Sequence, residues 1–519
     1  MKPQKAKKHY DLYHAGNHYA RQFTDKELIE SLNLVPGSGK FPRIHQWFGN
    51  SLAWIVEHHM EIDYKGFPVA GALYEPLMSF GLAEFYGLKK AMEFWLRQLS
   101  ARIIDTCDSL KLSPKVVSMQ PDILALIEYC TQSHDIEAFD KIESAKGVLR
   151  VEYWATQSTR RKDIKRFLSS VSAPMADKLN NIPSILSLYA NIAELGYKFK
   201  FPGEGNTATR ITHWSWWQRW SYLLATATPA IERLLDARKP KVVLVTSDYS
   251  IFGYLLILAA RRRHIPSIHI PHGYPNPLLL PLRADYMVVW GKPFVELLAV
   301  HGLATSRMLV TGDILGGKAR PASKRDYDLR KKLGISQPNV IGYLATAAEV
   351  GNEGLLAMIE AIKNNEDYCL LIRPHPRQHE YASDLAAKIG VGRIKIITAD
   401  ILSLEQFCSI CNIAATFEST SLFYAIREGC LPIQVTAYNK RAPAIDFTKL
   451  TEAPEAANTE QLSIIINQYF NIKSKDELDL KQDKIIRMLY AATGMDAANS
   501  LVASITDIIS KQANIPAAG

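Results

Sequence analysis

Between Asn339 and Val435, short apolar runs alternate with longer amphipathic stretches, and that alternation admits few folds. The runs 339–344, 369–373, 394–398, 412–417 and 431–435 read as strands, and 354–363, 383–389, 402–409 and 420–428 as the helices between them. Strands that alternate with helices build a parallel sheet with right-handed crossovers. Gly429 stands where a helix C′ glycine belongs, and Pro432 just beyond it prevents continuation. A second unit of the same kind precedes this one, with strands expected at 241–246, 267–270, 285–290 and 309–313 and helices at 250–262 and 293–301.

At 519 residues the chain exceeds one ordinary core. The fold class expected is therefore α/β with two Rossmann-like domains. The first occupies 241–316, and a polar linker follows at 317–335. The second, with C-terminal helices, occupies 336–519. Residues 1–240 read as a largely helical or mixed region, with helical periodicity at 82–104 and 123–129.

A net charge of +9 points to a polyanionic partner, a class that includes nucleic acid, an anionic membrane surface and phosphorylated substrates. No nucleic-acid module accompanies the charge, so nucleic acid is not expected as a partner. The lysines among the first nine residues have no apolar stretch behind them, unlike a secretory signal. The longest apolar run, 251–260, is about half of the ~20 residues a membrane-spanning helix needs, and Arg261-Arg262-Arg263 follows it. The expectation is a cytoplasmic protein, with peripheral contact at the inner face of the cytoplasmic membrane left open by the aromatic cluster His213–Trp220. Cys408 and Cys411 form a CxxC without a second pair or a neighbouring histidine, which reads as helix packing and not as a zinc site. The glycine pairs Gly37/Gly39 and Gly203/Gly205 lack the spacing of phosphate-binding loops and read as turns.

Three short motifs carry the chemistry. Arg373-Pro374-His375-Pro376-Arg377 ends an expected strand, with its prolines holding the turn extended. His375 can donate to a phosphoryl oxygen or protonate a leaving phosphate, and Arg373 and Arg377 offer planar donors to phosphate oxygens. Glu418-Ser419-Thr420-Ser421 follows the strand 412–417 and opens a helix, where hydroxyls and free N–H groups suit an anion. The same residues serve equally as simple N-caps. Pro271-His272-Gly273 ends a strand of the earlier unit and makes His272 a candidate base. Asp248 is a further candidate base or acceptor ligand, with Asp285, Asp313, Asp63 and Glu75 as weaker ones, and the loop from Thr346 to Gly354 is placed to touch a donor.

In this order, PHG, then RPHP, then a hydroxyl cluster leading to a helix and Gly429-Xaa-Xaa-Pro432, the motifs resemble bacterial glycosyltransferases of the GT-B fold that build surface carbohydrates from CMP-activated sialic acid or Kdo-type donors. The teichoic-acid glycerophosphotransferases, which use CDP-glycerol, look similar too. The resemblance covers roughly 241–435. It implies two Rossmann-like domains facing a cleft, with 241–316 part of an acceptor domain and 336–519 a nucleotide-sugar donor domain. It also implies that His375 and Ser419–Ser421 bind the donor phosphate and that His272 matches the PHG histidine. The acidic motif that supplies the base in several sialyltransferases has no copy here, and Glu418 replaces the aspartate that precedes the serines in the glycerophosphotransferases.

The expected partners are a CMP-activated sugar donor, a nonulosonic acid or Kdo-type sugar, and a polysaccharide or lipid-linked glycan acceptor. No cofactor or metal is expected, since no Asp-Xaa-Asp triplet stands at an expected strand end. Three alternatives remain at this point: a CDP-glycerol-type polyol-phosphate transferase, a non-catalytic glycan- or nucleotide-binding assembly protein, and a nucleotide-sugar epimerase.

Overall fold

Residues 63–64, 67–68, 120–127, 133–145, 149–155, 228–248 without 230, 250–346 without 272 and 281, 354–375, 392–439 and 443–513 without 444 and 473 are described by the computed structural model. A short antiparallel hairpin pairs β1 (Asp63–Tyr64) with β2 (Phe67–Pro68). The remaining strands form two six-stranded sheets, parallel throughout, in two separate units.

The first unit holds β3 (Ile123–Ile127), β4 (Val151–Ala155), β5 (Val242–Val245), β6 (Ser267–His269), β7 (Tyr286–Val289) and β8 (Met308–Val310). Their order across the sheet is β4-β3-β5-β6-β7-β8. The chain first steps from β3 to β4, then returns to place β5 on the other side of β3, so the topological switch lies between β3 and β5. Helix α1 (Ser133–Ser144) connects β3 to β4. Helix α2 (Ile251–Arg261) follows β5, and Ser250 Oγ caps it by accepting from Gly253 N at 3.2 Å.

One expectation fails here. Within the expected helix 123–129, the described residues Ile123–Ile127 form a strand, buried and paired with β4 and β5. A parallel strand covered on both faces reads as a continuous apolar run, and over so few residues Ile-Leu-Ala-Leu-Ile has no period that separates it from a buried helix. The stretches 82–104, 213–220 and 383–389 lie outside the described residues. The Arg261–Arg263 run at the end of α2 is held within its unit. Arg261 donates to the Arg283 carbonyl at 2.8 Å, Arg262 lies 3.6 Å from Glu232, and Arg263 pairs with Asp236 at 2.7 Å.

In the second unit, β9 (Asn339–Leu344), β10 (Tyr368–Arg373), β11 (Ile394–Ile396), β12 (Ile413–Thr416), β13 (Leu431–Val435) and β14 (Glu455–Ala456) run in the order β11-β10-β9-β12-β13-β14. The helices in chain order are α3 (Lys292–Val300, whose first residues belong here), α4 (Tyr327–Lys332), α5 (Gly354–Ile362), α6 (Leu404–Ile410), α7 (Ser421–Arg427), α8 (Phe447–Thr451), α9 (Thr459–Phe470) and α10 (Lys475–Leu489). Leu355 and Met358 of α5 and Leu462 and Ile466 of α9 close over Ile341, Tyr343, Leu370, Ile413 and Ile433 of the sheet in one buried cluster. Gly342 of β9 is required by close approach, since a Cβ there would stand 2.8 Å from Cys411 Sγ and 2.9 Å from a Phe407 ring carbon. The final helix, α11 (Met495–Ala513), contributes its residues from Ala498 onward to the first unit.

The segment 317–335 packs within the second unit and carries α4, although a linker is expected there from sequence. Arg330 of α4 is buried and donates to Ile410 O and Asn412 Oδ1, both at 2.8 Å. Arg320 N donates to Arg427 O at 2.8 Å. Two arginines of this polar segment, Arg325 and Arg330, are buried and donate to backbone carbonyls, whereas its lysines are exposed.

Candidate functional site

The second sheet switches direction between β9 and β12. In open α/β sheets, ligands bind outside the carboxyl ends of the strands at such a point. Three of the expected site segments leave neighbouring strand ends there. Thr346 lies just beyond β9, His375 just beyond β10, and Glu418 to Ser421 just beyond β12. Register aligns them, with Arg373 opposite Leu344 and Ala415 opposite Tyr343. Thr346 is buried, His375, Glu418, Ser419 and Ser421 are half-buried, and Thr420 is exposed.

The turn after β12 is shaped by side chains beneath it. Thr416 has no exposed surface, and its hydroxyl donates to the Leu344 carbonyl at 2.7 Å while accepting from Ser419 N at 3.0 Å. One hydroxyl thereby ties the end of β12 to the end of β9, across the switch. Gln434 of β13, also buried, donates through Nε2 to the Phe417 carbonyl at 3.0 Å and to the Ile445 carbonyl at 2.7 Å. Its Oε1 accepts from Phe447 N at 3.0 Å. Thr420 makes no side-chain cap on α7, and the nearest substitute is a 3.4 Å contact from Ser421 N to Ser419 Oγ. Neither Thr416 nor Gln434 stood out in the sequence, because a polar residue inside an apolar run carries no signal of which neighbour it will meet.

Arg373 serves the frame of this edge. Its Nη1 donates to the carbonyls of Thr398 at 3.1 Å and Leu402 at 2.6 Å, and its guanidinium lies 5.8 Å from the centre of the Phe407 ring. Burial pushes its pKa below the ordinary arginine value. The guanidinium therefore binds the turn after β11 to the end of β10. Arg377 lies outside the described residues.

In the first unit, Asp248 follows the end of β5 and His269 ends β6. Asp248 has no exposed surface, so as placed it offers nothing to an acceptor hydroxyl, contrary to its expected role as a base. Its Oδ2 accepts from Arg283 N at 2.8 Å, and its Oδ1 lies 3.5 Å from His269 Nδ1. His269, which sequence reading passed over, is 1% exposed, with Nε2 3.2 Å from the Thr246 carbonyl oxygen. Arg283 is buried too, and its guanidinium packs over the Tyr254 ring at 5.1 Å. His272 lies outside the described residues.

Of the weaker candidates, Asp313 is buried in a pair with Arg427, and Asp285 accepts from Ser267 N and Oγ at 2.9 and 2.8 Å. Both are thus committed to structure. Cys408 and Cys411 are buried free thiols. A hydrogen bond with Cys430 pushes the Cys408 thiol up, and burial does the same for Cys411. Among the described residues no helix is long and apolar enough to cross a membrane.

No protein-family model and no curated protein matches this sequence. Solved structures do resemble it. A UDP-GlcNAc 2-epimerase from Neisseria meningitidis bound to UDP-GlcNAc is 13% identical with a TM-score of 0.44, over 74% of this chain and 99% of that one. A glycosyltransferase from Rickettsia africae is 11% identical with a TM-score of 0.46, over 77% and 100%. A lipopolysaccharide outer core galactosyltransferase is 11% identical with a TM-score of 0.44, over 74% and 99%. Likeness at that level says nothing of chemistry, which is left to the residues themselves.

Proposed function

We propose that this chain is a glycosyltransferase that moves a nonulosonic acid or Kdo-type sugar from a CMP-activated donor to a surface polysaccharide or lipid-linked glycan. The observation that carries the reading is the switch point of the second sheet, where Thr346, His375 and Ser419–Ser421 leave adjacent strand ends. The order of the PHG, RPHP and hydroxyl motifs adds to it.

In this reading the donor phosphate lies against His375 and the hydroxyls of Ser419, Thr420 and Ser421, with Arg377 as a further donor of hydrogen bonds and Glu418 and Thr346 lining the site. Arg373 fixes the strand end from which His375 projects. The bond between anomeric carbon and phosphate oxygen breaks, and the departing CMP is stabilised by those donors. The acceptor oxygen bonds to the same carbon while His272 takes its proton. No metal is assigned a part.

The test is a thermal-shift screen with CMP, CDP, UDP and GDP, followed by CMP release from CMP-sugars and from CDP-glycerol in separate reactions. A ligand that binds only the folded chain raises its apparent stability. Stabilisation by CMP, turnover of a CMP-sugar that EDTA leaves unchanged, and its loss in His375→Ala are expected. Turnover with CDP-glycerol alone would transfer the assignment to polyol-phosphate transfer. Stabilisation by UDP alone would remove the cytidine donor, and a product formed without acceptor would indicate an epimerase.

A further inference from the structure

Every other residue of β13 is apolar, and Gln434 among them is 1% exposed. A buried amide is costly unless its groups are bonded, and here both N–H groups and the oxygen are. Nε2 donates to the carbonyls of Phe417 at 3.0 Å and Ile445 at 2.7 Å, and Oε1 accepts from Phe447 N at 3.0 Å. Two carbonyls and one N–H decide which way the amide points, since the flipped amide would set its oxygen against both carbonyls. None of the three partners belongs to a strand. Phe417 begins the turn after β12, and Ile445 and Phe447 flank Asp446 at the head of α8.

The turn after β12 is thereby held from beneath at two points. Thr416, which pairs with Gln434 across the two strands, accepts from Ser419 N, and Gln434 donates to the Phe417 carbonyl. The same amide ties this turn to the head of α8. Phe447 carries the connection on, with its ring 5.0 Å from that of Phe423 in α7. Ser419, Thr420 and Ser421 lie in the chain between the two anchored residues, Phe417 and Phe423. Groups that bind one ligand together must be held to within about 0.5 Å of their working positions. We propose that Gln434 is a positioning residue for the nucleotide: by fixing the Phe417 carbonyl to the head of α8, it sets where the Ser419–Ser421 hydroxyls meet the donor phosphate. This rests on the reading of that turn as the donor-phosphate site. Buried, and with its bonds made to the backbone, Gln434 meets no ligand itself.

Gln434→Met keeps the length of the side chain and removes all three bonds. The control is Gln482→Met on α10, a second buried amide, which donates to the Ile426 carbonyl at 2.7 Å near the far end of α7. In calorimetry on the full chain, Gln434→Met is expected to weaken CMP binding roughly tenfold or more, with Gln482→Met within about twofold of the parent. The phosphorus resonance of CMP at saturation should move in Gln434→Met and stay in place in Gln482→Met. Parent-like affinity and resonance in a folded Gln434→Met protein overturn the proposal, as do equal losses in the two variants. Gln434→Glu, which keeps an acceptor for Phe447 N, carries the same comparison if Gln434→Met does not fold. If the parent binds no CMP, the donor reading fails, and hydrogen exchange then judges the anchor alone. Amides of 417–421 and 445–447 are expected to exchange on the order of tenfold faster in Gln434→Met than in Gln482→Met, and equal rates overturn it.

Discussion

Thr416 shows how one atom shapes the candidate donor site. Its hydroxyl donates to the end of β9 and accepts from the turn after β12, and the residue has no exposed surface. Thr416→Val keeps the shape, strands the Ser419 N–H and the Leu344 carbonyl, and should destabilise the protein by about 1–3 kcal/mol. It should also weaken CMP binding in calorimetry, whereas Thr416→Ser restores both bonds and much of the affinity. Normal CMP affinity in a folded Thr416→Val protein would detach this turn from the nucleotide. Arg373 teaches a related lesson about residue types. An Arg beside a His and two prolines suggests a phosphate ligand, but a half-buried guanidinium here satisfies the Thr398 and Leu402 carbonyls. Sequence reveals the donor; only the fold reveals the acceptor.

At the scale of elements, Asp122 ties the amino ends of three strands together. Its carboxylate accepts from Arg150 N at 3.0 Å and pairs with Lys241 Nζ at 2.9 Å, one residue before β4 and one before β5, while its own backbone leads into β3. Burial pushes this carboxyl up, but the Arg150 N–H and the Lys241 ammonium outweigh it and hold it below the usual carboxylate value. A depressed folded pKa contributes stability above the unfolded value and loses it as pH falls through the folded one. Asp122→Asn should therefore lower the denaturation midpoint at pH 7, and the gap to the parent should close as the pH falls below the ordinary aspartate value of about 3.9. A gap independent of pH would exclude the ionised carboxylate as its source. The same region shows where element reading reaches its limit. The strands of the second unit were legible because caps and breakers bracket them, such as the Ser403 capping box at α6 and Gly429 after α7, with its φ of +92°. Nothing comparable marks Ile123–Ile127, and its identity came from pairing with β4 and β5.

For the whole molecule, the proposed reading puts the nucleotide at the switch point of the second sheet. CMP should slow hydrogen exchange around 345–346, 374–375 and 417–421, leaving the amides of β3–β8 unaffected. Protection centred on the first unit would assign the nucleotide to the wrong sheet. The sequence by itself determined the α/β class, the two units, most strands from Val242 to Val435 and the strand ends that carry the motifs, because buried parallel strands, caps and breakers are local in their physics. Tertiary structure alone decided strand order and hence both switch points. It decided that Asp248 is sealed against His269 and Arg283, and that Arg373 and Thr416 are held by neighbouring strands and turns. A side chain's partner is set by what packs beside it, and residues far apart in the chain meet only once the sheet has formed.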